Sequence, residues 1–173
     1  MQLYDYQQKV FEKITKSNDT RQRFAIRGEH GSGKTTLLMA LWQHYEQQRK
    51  KVIYINGLIV GSATDTGFLV IAEELGIQGI SSKVSSSWLR YVIVQELRIQ
   101  QYGDKLLFLL DEMYACSGEF QGYLRALCEQ RNCSLIATRH FQDESAKSPG
   151  YISPLYASPL EGIIQALHLH KSK

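Results

Sequence analysis

Cysteine is scarce in this chain, with 3 among 173 residues. Cys116, Cys128 and Cys133 form no CxxC pair, and an odd number cannot all be bonded within one chain. They read as reduced thiols of a cytoplasmic protein. Proline also numbers 3, and no Pro/Gly-rich linker, repeat or low-complexity block divides the sequence. A single domain over residues 1–173 is therefore expected. The N-terminal stretch "MQLYDYQQKVFEKI" has no apolar signal core. No run approaches the ~20 apolar residues of a membrane span, so no membrane partner is expected. Neither sign of charge dominates: 20 Lys and Arg stand against 17 Asp and Glu, a net charge of +3. That permits an acidic partner without requiring one.

What the chain does have is alternation of short apolar runs with longer amphipathic ones. Val10 to Ile14 sit in a polar amphipathic segment that begins the chain as a first helix, within an N-terminal region of residues 1–22. "RFAI" reads as a strand, 34–48 as a helix and "KVIYI" as a second strand. "TGFLVIAEEL" is helical and ended by Gly76. "SSWLRYVIVQELRIQQY" opens on serines suited to an N-cap and carries an apolar face at Trp88, Val92 and Leu97. "KLLFLL" is a continuous apolar run, as expected of a strand covered on both faces. "EFQGYLRALCEQR" is a helix, and "SLIA" and "IIQALHL" are two more strands. The order β-α-β-α-α-β-α-β-β predicts a three-layer αβα domain around a parallel sheet, its core spanning 23–170.

The chemistry starts in "FAIRGEHGSGKTTLLMALW". Gly28, Gly33, Lys34 and Thr35 satisfy G-x-x-x-x-G-K-[ST], with Glu29, His30, Gly31 and Ser32 between them. A strand enters the loop and a helix leaves it, which is the context a P-loop NTPase needs. Backbone N–H groups converge on a phosphate only where no Cβ blocks them and unusual φ/ψ values are open. The positive end of the helix points at the same place. Lys34 would reach the β- and γ-phosphates and Thr35 would ligate Mg²⁺, with Thr36 closing the loop.

Two later strand ends complete the pattern. In "LLFLLDEM" Asp111 and Glu112 fall at the carboxyl end of a buried strand, where open α/β sheets place their ligands. Asp111 would hold the Mg²⁺ shell, and Glu112 would orient and polarise the attacking water. In "CSLIATRH" another buried strand ends in Thr138 and Arg139, either of which would sense the γ-phosphate from beside the Asp111 strand.

These pieces, in this order, resemble the AAA+ and related ATPases whose Walker B strand carries the catalytic glutamate, over roughly residues 24–169. "KVIYINGLIVGSATDTGFLVIAEELGI" is similar to the second strand and following helix of origin-recognition, transposition and secretion ATPases. "LYASPLEGIIQALHL" is similar to the end of the core in DnaA-type initiators, and "ATRH" to the fourth strand of STAND signalling ATPases. The resemblance implies a sheet ordered 5-1-4-3-2, ATP with Mg²⁺ and nucleotide-dependent assembly. The partners it implies are a second protein or further copies of the chain, with DNA. The sequence departs from the initiator pattern in two respects. Pro159 stands where an arginine usually reaches into a neighbour's ATP, and no helical lid follows the core before "HLHKSK", so a lid is either lost or carried on a longer chain. Slow turnover in isolation is expected from that proline, with Arg125, Arg131 and Arg139 as the other nearby cations and Arg139 best placed as a sensor in cis.

The remaining candidates carry competing readings. Tyr4 and Tyr6 would flank the adenine or pack a first helix, and Gln7 resembles the adenine-reading glutamine of helicases. Arg49, Lys50 and Lys51 read as a solvated helix end, with nucleic-acid contact as the alternative. The loop "GLIVGSATDT" contains no Lys or Arg, so it does not grip phosphate; Ile59 and Val60 in it pack the core or anchor a partner. His168 and His170 share one face of a strand without a third metal ligand.

Overall fold

A computed structural model describes residues 2–17, 23–81, 83–102 and 105–140, and the backbone of 165–169. The elements are helix α1 (Asp5–Thr15), strand β1 (Arg23–Gly28), α2 (Lys34–Gln47), β2 (Lys51–Asn56) and a four-residue helix α3 (Gly57–Val60). They continue with α4 (Thr64–Glu74), α5 (Ser86–Gln100), β3 (Leu106–Asp111), α6 (Gly118–Arg131), β4 (Ser134–Arg139) and β5 (Gln165–Leu169).

All neighbouring strands pair in parallel, in the order β2-β3-β4-β1-β5. The four strands between residues 23 and 139 thus run 1-4-3-2, and β5 pairs its backbone with the outer side of β1. The central position of β3 explains its composition. Every residue from Leu106 to Asp111 is buried, because helices cover both faces of the sheet.

Alternation along the strands divides the core in two. Phe24, Ile26, Leu107, Leu109 and Ile136 meet Leu37, Leu38 and Leu41 of α2 together with Val10 and Ile14 of α1. Ile53, Ile55, Phe108, Leu110, Leu135 and Ala137 meet α4, α5 and α6 on the other face. Phe68, Phe108 and Phe120 are wholly enclosed there, each worth about 1.5–3 kcal/mol of transfer free energy.

Helix starts follow local chemistry. The Ser85 hydroxyl accepts from Trp88 N (3.3 Å) and that of Ser117 from Phe120 N (3.1 Å), each an N-cap. At the end of α2, Arg49 takes a left-handed φ of 60°, and Lys50 N returns to the Tyr45 carbonyl. Lys50 stands over the Tyr45 ring at this turn, and Lys51, at the start of β2, lies 3.8 Å from Glu74 at the end of α4.

The expected N-terminal helix is α1, which starts at Asp5. Two expectations change. The segment expected as a loop after β2 begins with helix α3, capped by Asn56 Oδ1 accepting from Leu58 N at 3.0 Å. Most clearly, α5 buries Leu89, Ile93 and Leu97, while Trp88 is 41% exposed and Val92 only half-buried. Both sets of residues recur at helical spacing, and the docking of α5 on α4 selects one. In α3 the two candidates separate: Val60 enters the core, whereas Ile59 is 71% exposed. Pro159, His170 and the side chain of His168 lie outside the described residues. No described helix is long and apolar enough to cross a membrane.

Candidate functional site

The carboxyl ends of β1, β3 and β4 are neighbours, so the loop after β1 faces the residues that close β3 and β4. The loop from Gly28 to Gly33 turns sharply, with φ of 71° at Gly31 and 77° at Gly33, a region glycine enters without a steric penalty. Gly33 caps α2, whose first residue is Lys34.

Lys34 is only 4% exposed, and its ammonium donates to the carbonyls of Gly28 (3.1 Å) and Glu29 (3.0 Å). The side chain is thus folded back across the mouth of the loop. Ser32 is buried and its hydroxyl has no hydrogen-bond partner among the described residues. Glu29, His30 and Gly31 form the exposed tip.

Asp111 is the hub of the other side. Thr35 Oγ1 donates to its Oδ2 at 2.6 Å, Tyr54 Oη to the same oxygen at 3.1 Å, and Thr138 Oγ1 to its Oδ1 at 2.6 Å. Burial first, and then the Asp111 charge, push the Tyr54 hydroxyl pKa well up, so Tyr54 remains a neutral donor. Thr138 also accepts from Glu112 N at 2.8 Å. Glu112 itself adopts φ 50° and ψ 51°, a left-handed conformation uncommon for a side-chain-bearing residue. The structure brings Thr35, Asp111, Glu112 and Thr138 together. Arg139 follows Thr138 on a strand, so it faces the opposite side of the sheet, with Leu135 and Ala137. Arg125 lies on α6 and pairs with Glu129 at 3.0 Å. Arg131 closes the same helix.

Helix α1 braces the loop from outside. Gln7 is 1% exposed. Its amide nitrogen donates to the Gly33 carbonyl at 3.0 Å, and its Oε1 accepts from Tyr4 N at 2.9 Å. Tyr6 Oη donates to the Ser32 carbonyl at 3.2 Å. Pulling these carbonyls outward turns the amides that follow them, at Gly33 and Lys34, toward the inside of the loop. Gln7 therefore bolts the helix to the loop, and both ends of its amide are engaged within the protein. Tyr4 and Tyr6 stack on one another, with ring centroids 5.8 Å apart. They line a cleft of about 710 Å³ that runs between α1 and Gly31, Gly33 and Thr36.

Sequence reasoning missed three members of this site. Gly57 lies so close to Asp111 and Glu112 that a Cβ there would overlap their carbonyls. Tyr54, midway along an apolar strand, carries no motif signal. His140 sits at 3.1 Å from Glu112 and closes "ATRH", but nothing in that spacing announces the contact.

An oxygen-only donor set of hydroxyls and a carboxylate suits a hard divalent cation. A glycine loop with inward amides, an orphaned buried hydroxyl and a folded-back lysine suits a polyphosphate. Together, the parallel αβα sheet and this loop define a P-loop ATPase fold of the AAA+ type. The AAA domain family matches residues 17–142, and the chain belongs to that family. In fold it is similar to Cdc6p from Pyrobaculum aerophilum, with a TM-score of 0.66 and 18% identity over 93% of this chain and 43% of that one. It is also similar to AMPPCP-bound DnaA from Aquifex aeolicus, with a TM-score of 0.50 and 22% identity over 96% of this chain and 45% of that one. The chain therefore spans less than half the length of either protein. A search of curated proteins finds no match.

Proposed function

We propose that this chain binds Mg-ATP and uses it as a nucleotide-dependent switch in DNA-linked assembly. The observation that carries the ATP part is the convergence of the Thr35 and Thr138 hydroxyls on Asp111, 2.6 Å each, beside the Lys34 loop. In this reading the amides of Gly28 to Thr36 hold the phosphates. Lys34 leaves its two carbonyls for the β- and γ-phosphate oxygens, a charge-assisted exchange. Thr35 and Asp111 hold Mg²⁺, which when bound neutralises phosphate charge. Glu112 orients the water that attacks, and Thr138 reports the γ-phosphate to Glu112 through the hydrogen bonds it already makes. The cleft beside Tyr4 and Tyr6 has room for the nucleoside.

The AMPPCP-bound state of DnaA supports nucleotide binding by analogy of fold. The DNA-linked part rests on the initiator resemblance of the sequence and on the likeness in fold to Cdc6p and DnaA. A second reading, a STAND-like signalling or defence switch with slow turnover, is favoured by one feature, the "ATRH" end of β4. Calorimetric ATP binding with and without Mg²⁺, followed by ATPase activity and oligomeric state with and without DNA, tests the set. No ATP binding refutes the first reading outright. DNA-stimulated hydrolysis supports the DNA-linked role, and tight nucleotide retention indifferent to DNA supports the second. Specific activity measured over a wide range of protein concentration tests the slow-turnover expectation, and a steep rise would show self-assembly completing the site.

A further inference from the structure

His140 stands at a junction the proposed reaction leaves unexplained. Its Nε2 is 3.1 Å from Glu112 Oε2, and both side chains are less than one-fifth exposed. That oxygen is buried and carries no hydrogen bond from any described residue. The imidazole ring is held on two sides. Tyr114, just after Glu112, meets it edge-on at 5.2 Å, and His30, at the tip of the phosphate loop, meets it edge-on at 5.8 Å. The backbone of Glu112 is fixed separately, through its N–H to Thr138 Oγ1 and in a left-handed conformation. A residue held this closely at a cost in backbone energy has a geometry the site depends on. The carboxylate is the one part of Glu112 the backbone does not fix.

We propose that His140 is the positioning residue for the Glu112 carboxylate. The 3.1 Å approach is not aligned as a hydrogen bond in this structure, and a small rotation of the ring lets Nε2–H donate to Oε2. Oε1 is then left to face the attacking water, and packing on His30 ties that orientation to the phosphate loop. The proposal rests on the reading of Glu112 as the water-orienting group. His140 touches neither phosphate nor metal in this arrangement, so it acts through Glu112 alone. A misdirected base loses rate and leaves binding intact.

The test compares His140→Phe, His140→Gln and Glu112→Gln, with the double variant Glu112→Gln/His140→Phe, in the full chain. Phenylalanine keeps both edge-on ring contacts and removes the nitrogen; glutamine restores an N–H donor at about the same reach. His140→Phe should lower kcat by ~10- to ~100-fold with ATP affinity and thermal midpoint unchanged, and His140→Gln should recover most of the loss. In the Glu112→Gln background, His140→Phe should add nothing. Wild-type kcat or higher in His140→Phe, no rescue by glutamine, or an equal further loss in the double variant would each overturn the proposal. The parent reading fails differently: Glu112→Gln would then hydrolyse ATP as fast as wild type, or wild type would not hydrolyse it at all, and the role of His140 would fall with it.

Discussion

Gly57 and Glu112 meet backbone to backbone where β2 and β3 end: a Cβ on Gly57 would overlap the Glu112 carbonyl and stand 2.7 Å from that of Asp111. A carbonyl in the backbone cannot swing aside as a side-chain tip can. Gly57→Ala must therefore displace either α3 or the peptide that carries Glu112. The cost is about 1–3 kcal/mol of stability, as for overpacking elsewhere. ATP turnover should fall with it, while the loop from Gly28 to Gly33, supported by β1 and α1, keeps its affinity for nucleotide. Denaturant unfolding and ATPase assays on the same preparation check both halves; unchanged stability and turnover would mean that α3 yields freely.

Lys34 is the cation folded into the mouth of the phosphate loop. Lys34→Ala should weaken ATP binding by roughly 2–4 kcal/mol, the scale on which a charge-assisted hydrogen bond acts in a partly desolvated site. Calorimetry reads this directly. Equal affinity for the variant and the wild type would refute the phosphate-loop assignment.

Asp111 and Glu112 are adjacent in sequence but should separate in their phenotypes. Glu112→Gln keeps the side-chain shape and should preserve ATP binding while lowering turnover by at least ~100-fold. Asp111→Ala leaves Thr35, Tyr54 and Thr138 without their common acceptor. It should therefore lose the Mg²⁺ dependence of binding and also stability, by about 1–3 kcal/mol for the unsatisfied hydroxyls. Magnesium titrations of ATP binding in the two variants distinguish these outcomes.

How much of this was legible in the sequence depends on how far apart the cooperating residues lie. The phosphate loop is contiguous, so its glycines, Lys34 and Thr35 announce themselves. Asp111 follows because an apolar run that ends in acid marks the carboxyl end of a buried strand. The contacts of Gln7 with Gly33, Gly57 with Glu112 and His140 with Glu112 join elements by tertiary packing, and no spacing rule encodes them. Gln7 shows the limit: it is buried, and its amide is engaged with Tyr4, Ser32 and Gly33, a bracing role that no feature of the N-terminal stretch announces. Arg139 shows the converse, since strand alternation separates it from Thr138, the neighbour with which the sequence grouped it.

All three cysteines are buried. Burial pushes the Cys116 thiol up to about 11, so almost none of it is thiolate at neutral pH, and the thiolate is the reactive form. Native protein should react with a chromogenic disulfide reagent at pH 7 far more slowly than unfolded protein, which should release three equivalents. One fast equivalent in the native state would point to Cys133, whose thiol pKa is lowered by its side-chain hydrogen bond with Cys128.

Helix α5 offers a stability test of the face it presents to the core. Ile93 is fully buried against the α4 side of the sheet, whereas Trp88, one of the residues that the sequence pattern placed inward, is 41% exposed. Ile93→Ala removes methylene groups from a closed environment and should cost about 2–5 kcal/mol. Trp88→Ala gives up a partly solvated ring and should cost less than about 1 kcal/mol. Urea unfolding with a shared m-value measures the difference. A larger loss for Trp88 than for Ile93 would mean that α5 is rotated by about a quarter of a turn, bringing the 88/92 stripe onto α4, and the described core on that face would have to be redrawn.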